Sequence, residues 1–181
     1  MLIRPALLAA AVLTLPIALV IAPAAVASTS DADLIRPDHV AAADTPQAAA
    51  AVLTARRYAT FWHTGDARYA TEALSPSFVD RTLPAGRVQG TQGPLDASKA
   101  FRTAVPDMRV AIEDMVVAGD RVSVHLRFRG HFTGEFGRTH GQNQPIDFQA
   151  FDLYRIADGK IAENWHLEDN QTLLRQMGLQ P

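Results

Sequence analysis

Residues 148–167 read FQAFDLYRIADGKIAENWHL, and the pattern of this stretch decides the fold. Two runs rich in Phe, Leu, Tyr, Ile and Trp flank Ala157-Asp158-Gly159, and apolar residues that alternate with polar ones mark half-buried strands. The three central residues suit a hairpin loop with Gly159 in the left-handed conformation. Ile156 then faces Lys160, and counting outward pairs Tyr154 with Ala162, Asp152 with Asn164, and Ala150 with His166. Alternate residues share a face, so Phe148, Asp152, Tyr154, Asn164 and His166 stand together on one side of the hairpin. Asp152 and His166 become diagonal neighbours, roughly 7–8 Å apart at the backbone. A carboxyl group beside an imidazole among apolar neighbours suits general acid–base chemistry, because desolvation and the paired charge move both titrations. The competing reading is a satisfied polar pair at a sheet edge. A two-residue turn would shift the register by one and carry His166 to the other face.

Outward from this hairpin the strand pattern continues upstream. Met108 to Val117 and Val122 to Phe132 are rich in Val, Ile, Leu and Phe, with a turn at Gly119-Asp120 between them. Together with Ile146 to Ile156 and Ile161 to Leu167, they predict two hairpins in one antiparallel sheet. Before them the period is helical. Thr45-Pro46 opens a helix, and Ala48, Val52, Ala55, Ala59 and Trp62 line one stripe that Gly65 closes. Asp66 caps a second short helix with Tyr69, Ala70 and Leu74, stopped by Pro76. Phe78 to Arg81 is extended, Pro94 to Val105 is a third helix ended by Pro106, and Asp169 caps a last one ending at Gly178. Helices followed by a sheet give an α+β domain over residues 45–181.

Ahead of the domain lies a different kind of sequence. Arg4, an apolar run from Leu7 to Ile21, and Ala25-Val26-Ala27 predict a signal peptide over residues 1–27, cleaved after Ala27. The expected location is secreted or periplasmic, with no stable membrane span after cleavage, since the apolar run is short of a comfortable spanning helix. Residues 28–44 read as a flexible lead-in. Composition excludes other classes. The chain of 181 residues balances 17 Lys and Arg against 19 Asp and Glu, without the basic surplus that nucleic acid demands. It has no cysteine, hence no disulfide, thiol nucleophile or zinc–thiolate site. No phosphate-binding glycine loop occurs, and His39, His63 and His140 lack metal-ligand spacing, so no metal or cofactor is expected.

Several ordered pieces carry a family resemblance. They are Ala104-Val105-Pro106-Asp107-Met108-Arg109-Val110, Ile112-Glu113-Asp114-Met115-Val116, Gly119-Asp120-Arg121-Val122, Arg129-Gly130 with Thr133-Gly134-Glu135-Phe136, Arg155 to Ile161, Glu163-Asn164-Trp165-His166, and Asp169 with Leu174 to Gly178. In this order and spacing, from Ala50 to the C-terminus, the sequence resembles the SnoaL-like polyketide cyclase, or ester cyclase, family. The resemblance implies a nuclear-transport-factor-2-like cone, with N-terminal helices packed on a curved antiparallel sheet and a homodimer formed through the sheet. It further implies aldol-type ring closure of a polyketide without metal or cofactor. The family's polar pair falls at positions 152 and 166, with His on the first strand and Asp on the second; here Asp152 comes first and His166 second.

On this reading the candidate catalytic residues are His166, which takes or returns a proton, and Asp152, which orients it. Asn164 or Tyr154 donates to the developing oxyanion. Phe148, Asp80 and His131 are further substrate-binding candidates: Asp80, with Arg81, because the short strand carrying it flanks the pocket in this fold, and His131 because the family places a histidine near the pocket mouth. Their alternatives are surface roles. Glu168 and Asp169 are expected to serve the last helix as N-terminal carboxyl groups, and His125, Arg127 and Arg129 form an outward row. The expected activity is cofactor-independent acid–base catalysis on a small apolar carbonyl compound, with cyclase preferred over isomerase and hydrolase. The alternative is a secreted binding module of the same fold with no chemistry, and a third reading is a purely structural dimer.

Overall fold

A computed structural model describes residues 30–179; the predicted signal peptide lies outside the described residues. In chain order the main elements are β1 (Pro37–Ala41), α1 (Pro46–Thr64), α2 (Ala67–Ala73), β2 (Leu74–Asp80), α3 (Gln92–Ala104), β3 (Arg109–Ala118), β4 (Arg121–Phe132), β5 (Glu135–Phe136), β6 (Thr139–His140), β7 (Gln144–Ala157), β8 (Lys160–Glu168) and α4 (Asn170–Gln176). The fold is α+β. The four long strands β3, β4, β7 and β8 run antiparallel, as their turn signals predict. The sheet as a whole is mixed, with order β1-β3-β4-β7-β8-β2, because β1 lies parallel to β3 and β2 parallel to β8 at its two edges.

The helix boundaries follow from local chemistry. Thr45 Oγ1 accepts from the Ala48 amide, and Gly65 ends α1 in the left-handed region at φ 77°, where a side chain is disfavoured. Asp66 caps α2 through the Arg68 amide. Leu74 is not helical as expected: it begins β2, so Pro76 sits in an edge strand, the place in a sheet where a missing N–H is tolerated. Ala51, Ala55 and Ala59 are buried on α1, and these small side chains let the helix lie close on the sheet. Tyr58 and Phe61 join the same core.

Two expectations change. The segment 28–44, read as a flexible lead-in, supplies β1 in its described part, with His39, Val40 and Ala41 in register with Asp114, Met115 and Val116. The hairpin between β7 and β8 also differs from the predicted three-residue loop. Ala157 pairs with Lys160 across a two-residue turn, and Asp158 and Gly159 both have positive φ, 50° and 70°, as a type I′ turn requires. That turn alone would send His166 to the opposite face. A bulge corrects it: Ile156 pairs with Ile161 but Arg155 pairs with Glu163, leaving Ala162 as the extra residue. Asp152 therefore stands directly opposite His166, and Tyr154 opposite Asn164.

Between β4 and β5 the chain passes tightly over the end of α3. The Thr133 and Gly134 amides both donate to the Ala104 carbonyl, and a Cβ on Gly134 would lie 1.8 Å from the Thr103 oxygen. Only glycine fits that approach, which fixes the start of the β5–β6 hairpin beside the end of α3.

Candidate active site

A cavity of about 1030 Å³ opens between the helices and the face of the sheet that carries Leu126, Phe128, Phe148 and Ala150. Its walls are apolar and aromatic. Tyr58 and Trp62 come from α1, Phe101 from α3, and Phe128 and Phe148 from neighbouring sheet strands. Phe128 and Phe148 stack at 5.0 Å, and Phe101 meets Phe148 edge-on at 5.8 Å. The loop Pro84 to Val88, the β5–β6 turn and Leu173 with Leu174 of α4 complete the lining.

Polar groups gather at one part of this wall. Of the residues predicted from the sequence, Asp152, His166, Asn164, Phe148 and Asp80 line the cavity. Tyr154 is buried next to it, with its hydroxyl donating to Asp152 Oδ2 at 2.9 Å. Asn164 Nδ2 donates to the same oxygen at 3.2 Å. Among the described residues no donor reaches Asp152 Oδ1. Burial pushes the Asp152 carboxyl up to about 6, against the pull of the His166 charge and the two donors.

His166 does not hydrogen bond to Asp152, its expected orienting partner. Its Nε2 lies 3.1 Å from both oxygens of Asp80, and its Nδ1 lies 2.7 Å from Glu168 Oε1. Burial alone would lower the imidazole, but the Glu168 and Asp80 hydrogen bonds and the nearby negative charges outweigh it and raise the ring to about 9. Burial likewise opposes ionisation of Glu168, and the His166 contact overcomes it to hold this carboxyl below its usual value. At neutral pH His166 is thus an imidazolium with both N–H groups engaged. Thr82 Oγ1 accepts from the His166 amide, Gln89 clasps the Asp80 backbone, and Arg87 Nη1 lies 3.7 Å from Asp80 Oδ2.

Sequence reasoning assigned Glu168 to the last helix, where Asp169 alone is the cap, accepting from the Thr172 amide. A Glu two residues from His166 on one strand shares its face, and that alternation was the available signal. Arg87 sits on a loop with no periodicity and was missed. His131 is not at the pocket mouth: half-exposed, it pairs with Asp107 at 2.7 Å, because it belongs to the outward row of β4. Arg81 pairs with Glu163 on the surface.

The profile of SnoaL-like polyketide cyclases matches residues 52–177. A candidate polyketide cyclase from Bacillus cereus ATCC 10987 is 38% identical, over 82% of this chain and 96% of that one, with a TM-score of 0.74. IdmH, a candidate polyketide cyclase from Streptomyces antibioticus, is 26% identical over 69% and 96%, with a TM-score of 0.62. A protein of ketosteroid isomerase-like fold from Catenulispora acidiphila, solved with trimethylamine, is 20% identical over 70% and 93%, with a TM-score of 0.55, a likeness of fold alone. No curated protein matches significantly. With the profile spanning most of the chain and the Bacillus cereus protein matching over four-fifths of it, the chain belongs to the SnoaL-like polyketide cyclase family.

Proposed function

We propose that this protein is a cofactor-independent acid–base catalyst that removes a proton beside the carbonyl of an apolar substrate, leading to aldol-type cyclisation or isomerisation. The observation that carries the reading is Asp152: buried on an apolar cavity wall, with Oδ2 held by two donors and its titration raised to about 6. A base with that value is deprotonated at neutral pH yet strong enough to take a proton from an activated carbon. Asp152 Oδ1 accepts the carbon's proton, and the enolate charge is held by the fixed positive charge of His166 and by Arg87. In a cyclisation the enolate carbon attacks a second carbonyl of the same molecule, and Asp152 returns the proton to the new alkoxide.

The roles of the pair thus exchange relative to the sequence reading. His166 has no free lone pair with which to act as base, and the single Tyr154 proton is committed to Asp152. Tyr154 therefore tunes the base rather than the oxyanion.

The reading is tested by deuterium exchange at the methyl group of 2-acetylnaphthalene, followed by NMR. The rate is expected to rise as Asp152 loses its proton, through about 6, and to fall as His166 loses its own, through about 9, the two apparent values belonging to the cluster. Saturable binding with no exchange at any pH would identify a carrier instead.

Export and dimerisation belong to the same proposal. Arg4, the apolar run and Ala25-Val26-Ala27 support export, and N-terminal sequencing of the protein from its native host is expected to begin at Ser28. Phe151, Leu153 and Leu167 are exposed on the outer face of the sheet, beside Trp165 under Arg121. This apolar group supports a homodimer through that face.

A further inference from the structure

Asn164 donates through Nδ2 to Asp152 Oδ2. That bond settles which way the amide is turned, because an ionised carboxyl has no proton to offer an amide oxygen. Asn164 Oδ1 is left buried with no donor among the described residues, on a residue that lines the cavity and is 3% exposed. A buried carbonyl oxygen without a donor is uncommon, since the loss of its hydration is not returned. Both hydrogen bonds accepted by Asp152 end on Oδ2, so this wall offers two neighbouring acceptors, one charged and one neutral. The charged one has a use in the proposed step. The neutral one does not.

We propose that Asn164 Oδ1 is a specificity-determining acceptor for a substrate hydroxyl, a phenolic or enolic O–H carried close to the carbon that Asp152 deprotonates. The site then selects hydroxylated aromatic carbonyl compounds over their O-methylated counterparts. A hydroxyl fits better than an ammonium, because Asn164 Oδ1 is a neutral acceptor and a neutral O–H pairs with it without carrying a second charge into a buried wall. Stacked Phe128 and Phe148 supply the aromatic surface. The inference rests on the cavity being a small-molecule site, and its test needs no turnover.

Isothermal titration calorimetry at pH 7 with 2-naphthol and 2-methoxynaphthalene reads it directly. By ring hydrophobicity alone the ether would bind at least as tightly. The expected result is that 2-naphthol binds about tenfold tighter or more, because the ether leaves Asn164 Oδ1 unpaired and crowds it with a methyl group. Asn164→Leu, or Asn164→Ala if the leucine variant does not fold, is expected to reduce the preference to less than about threefold. Equal or tighter binding of the ether, binding of neither probe, or a preference kept without Asn164 overturns the inference. A hydroxyl preference without deuterium exchange removes the catalytic reading alone, and exchange without a preference removes this one alone.

Discussion

Asp152→Asn is expected to slow exchange at the carbon acid by about 100- to 10,000-fold while making the fold more stable at pH 8 by up to about 3 kcal/mol. The first effect follows from removing the proton acceptor. The second follows from the direction of its titration. Asp152 is raised by burial to about 6, above the value of an unfolded aspartate, so the folded protein holds this proton more tightly than the unfolded chain. Stability from this group therefore declines as pH rises from about 4 to about 6, and the penalty is fully present above that. An asparagine carbonyl still accepts from Tyr154 and Asn164 without the buried charge. Urea unfolding at pH 8 and at pH 4 checks it: the gain is expected at pH 8 and should be nearly absent at pH 4. Loss of stability at pH 8 would show that Asp152 serves the fold rather than opposing it.

The fold was legible where information is local. Thr45, Gly65, Asp66 and Asp169 each mark a helix end by chemistry with the nearest amides, and those readings match the structure. The antiparallel core was legible through Gly119-Asp120 and Asp158-Gly159. What escaped depends on partners far away in sequence. β1 has an almost wholly exposed burial pattern, so it carries no alternation, and only the edge of β3 makes it a strand. The face of His166 was right although its register was wrong, because a shorter turn and a bulge at Ala162 change the count by two residues, which preserves alternation. The cluster around His166 was half legible. Asp80 was a candidate only by resemblance, and its contact with His166 arises from the parallel pairing that sets Asp80 beside Asn164.

That cluster makes His166→Ala a change expected to cost the fold heavily. A histidine with only a catalytic role could be removed without structural cost, but His166 neutralises Asp80 and Glu168 in a place where their side chains are 3% and 30% exposed. Removing one partner of a buried ionic group leaves the others uncompensated, a loss of about 3–5 kcal/mol. The pH dependence carries the sign. His166 titrates at about 9 in the folded protein, above its unfolded value of about 6.5, so its contribution is complete below pH 6.5 and is lost as pH rises through 9. The cost of His166→Ala should accordingly be largest near neutral pH and small at pH 10. It should also shrink toward pH 4, where the abandoned carboxyl groups can take up protons instead. His131→Ala is the control, because its pair with Asp107 is about half exposed on both sides and an ion pair in water contributes about 1 kcal/mol or less. Denaturant unfolding of both variants across pH separates the two cases. If His166→Ala proves no more costly than His131→Ala at pH 7, the imidazolium is not the keystone of the site, and the positive charge facing the enolate must come from Arg87 alone.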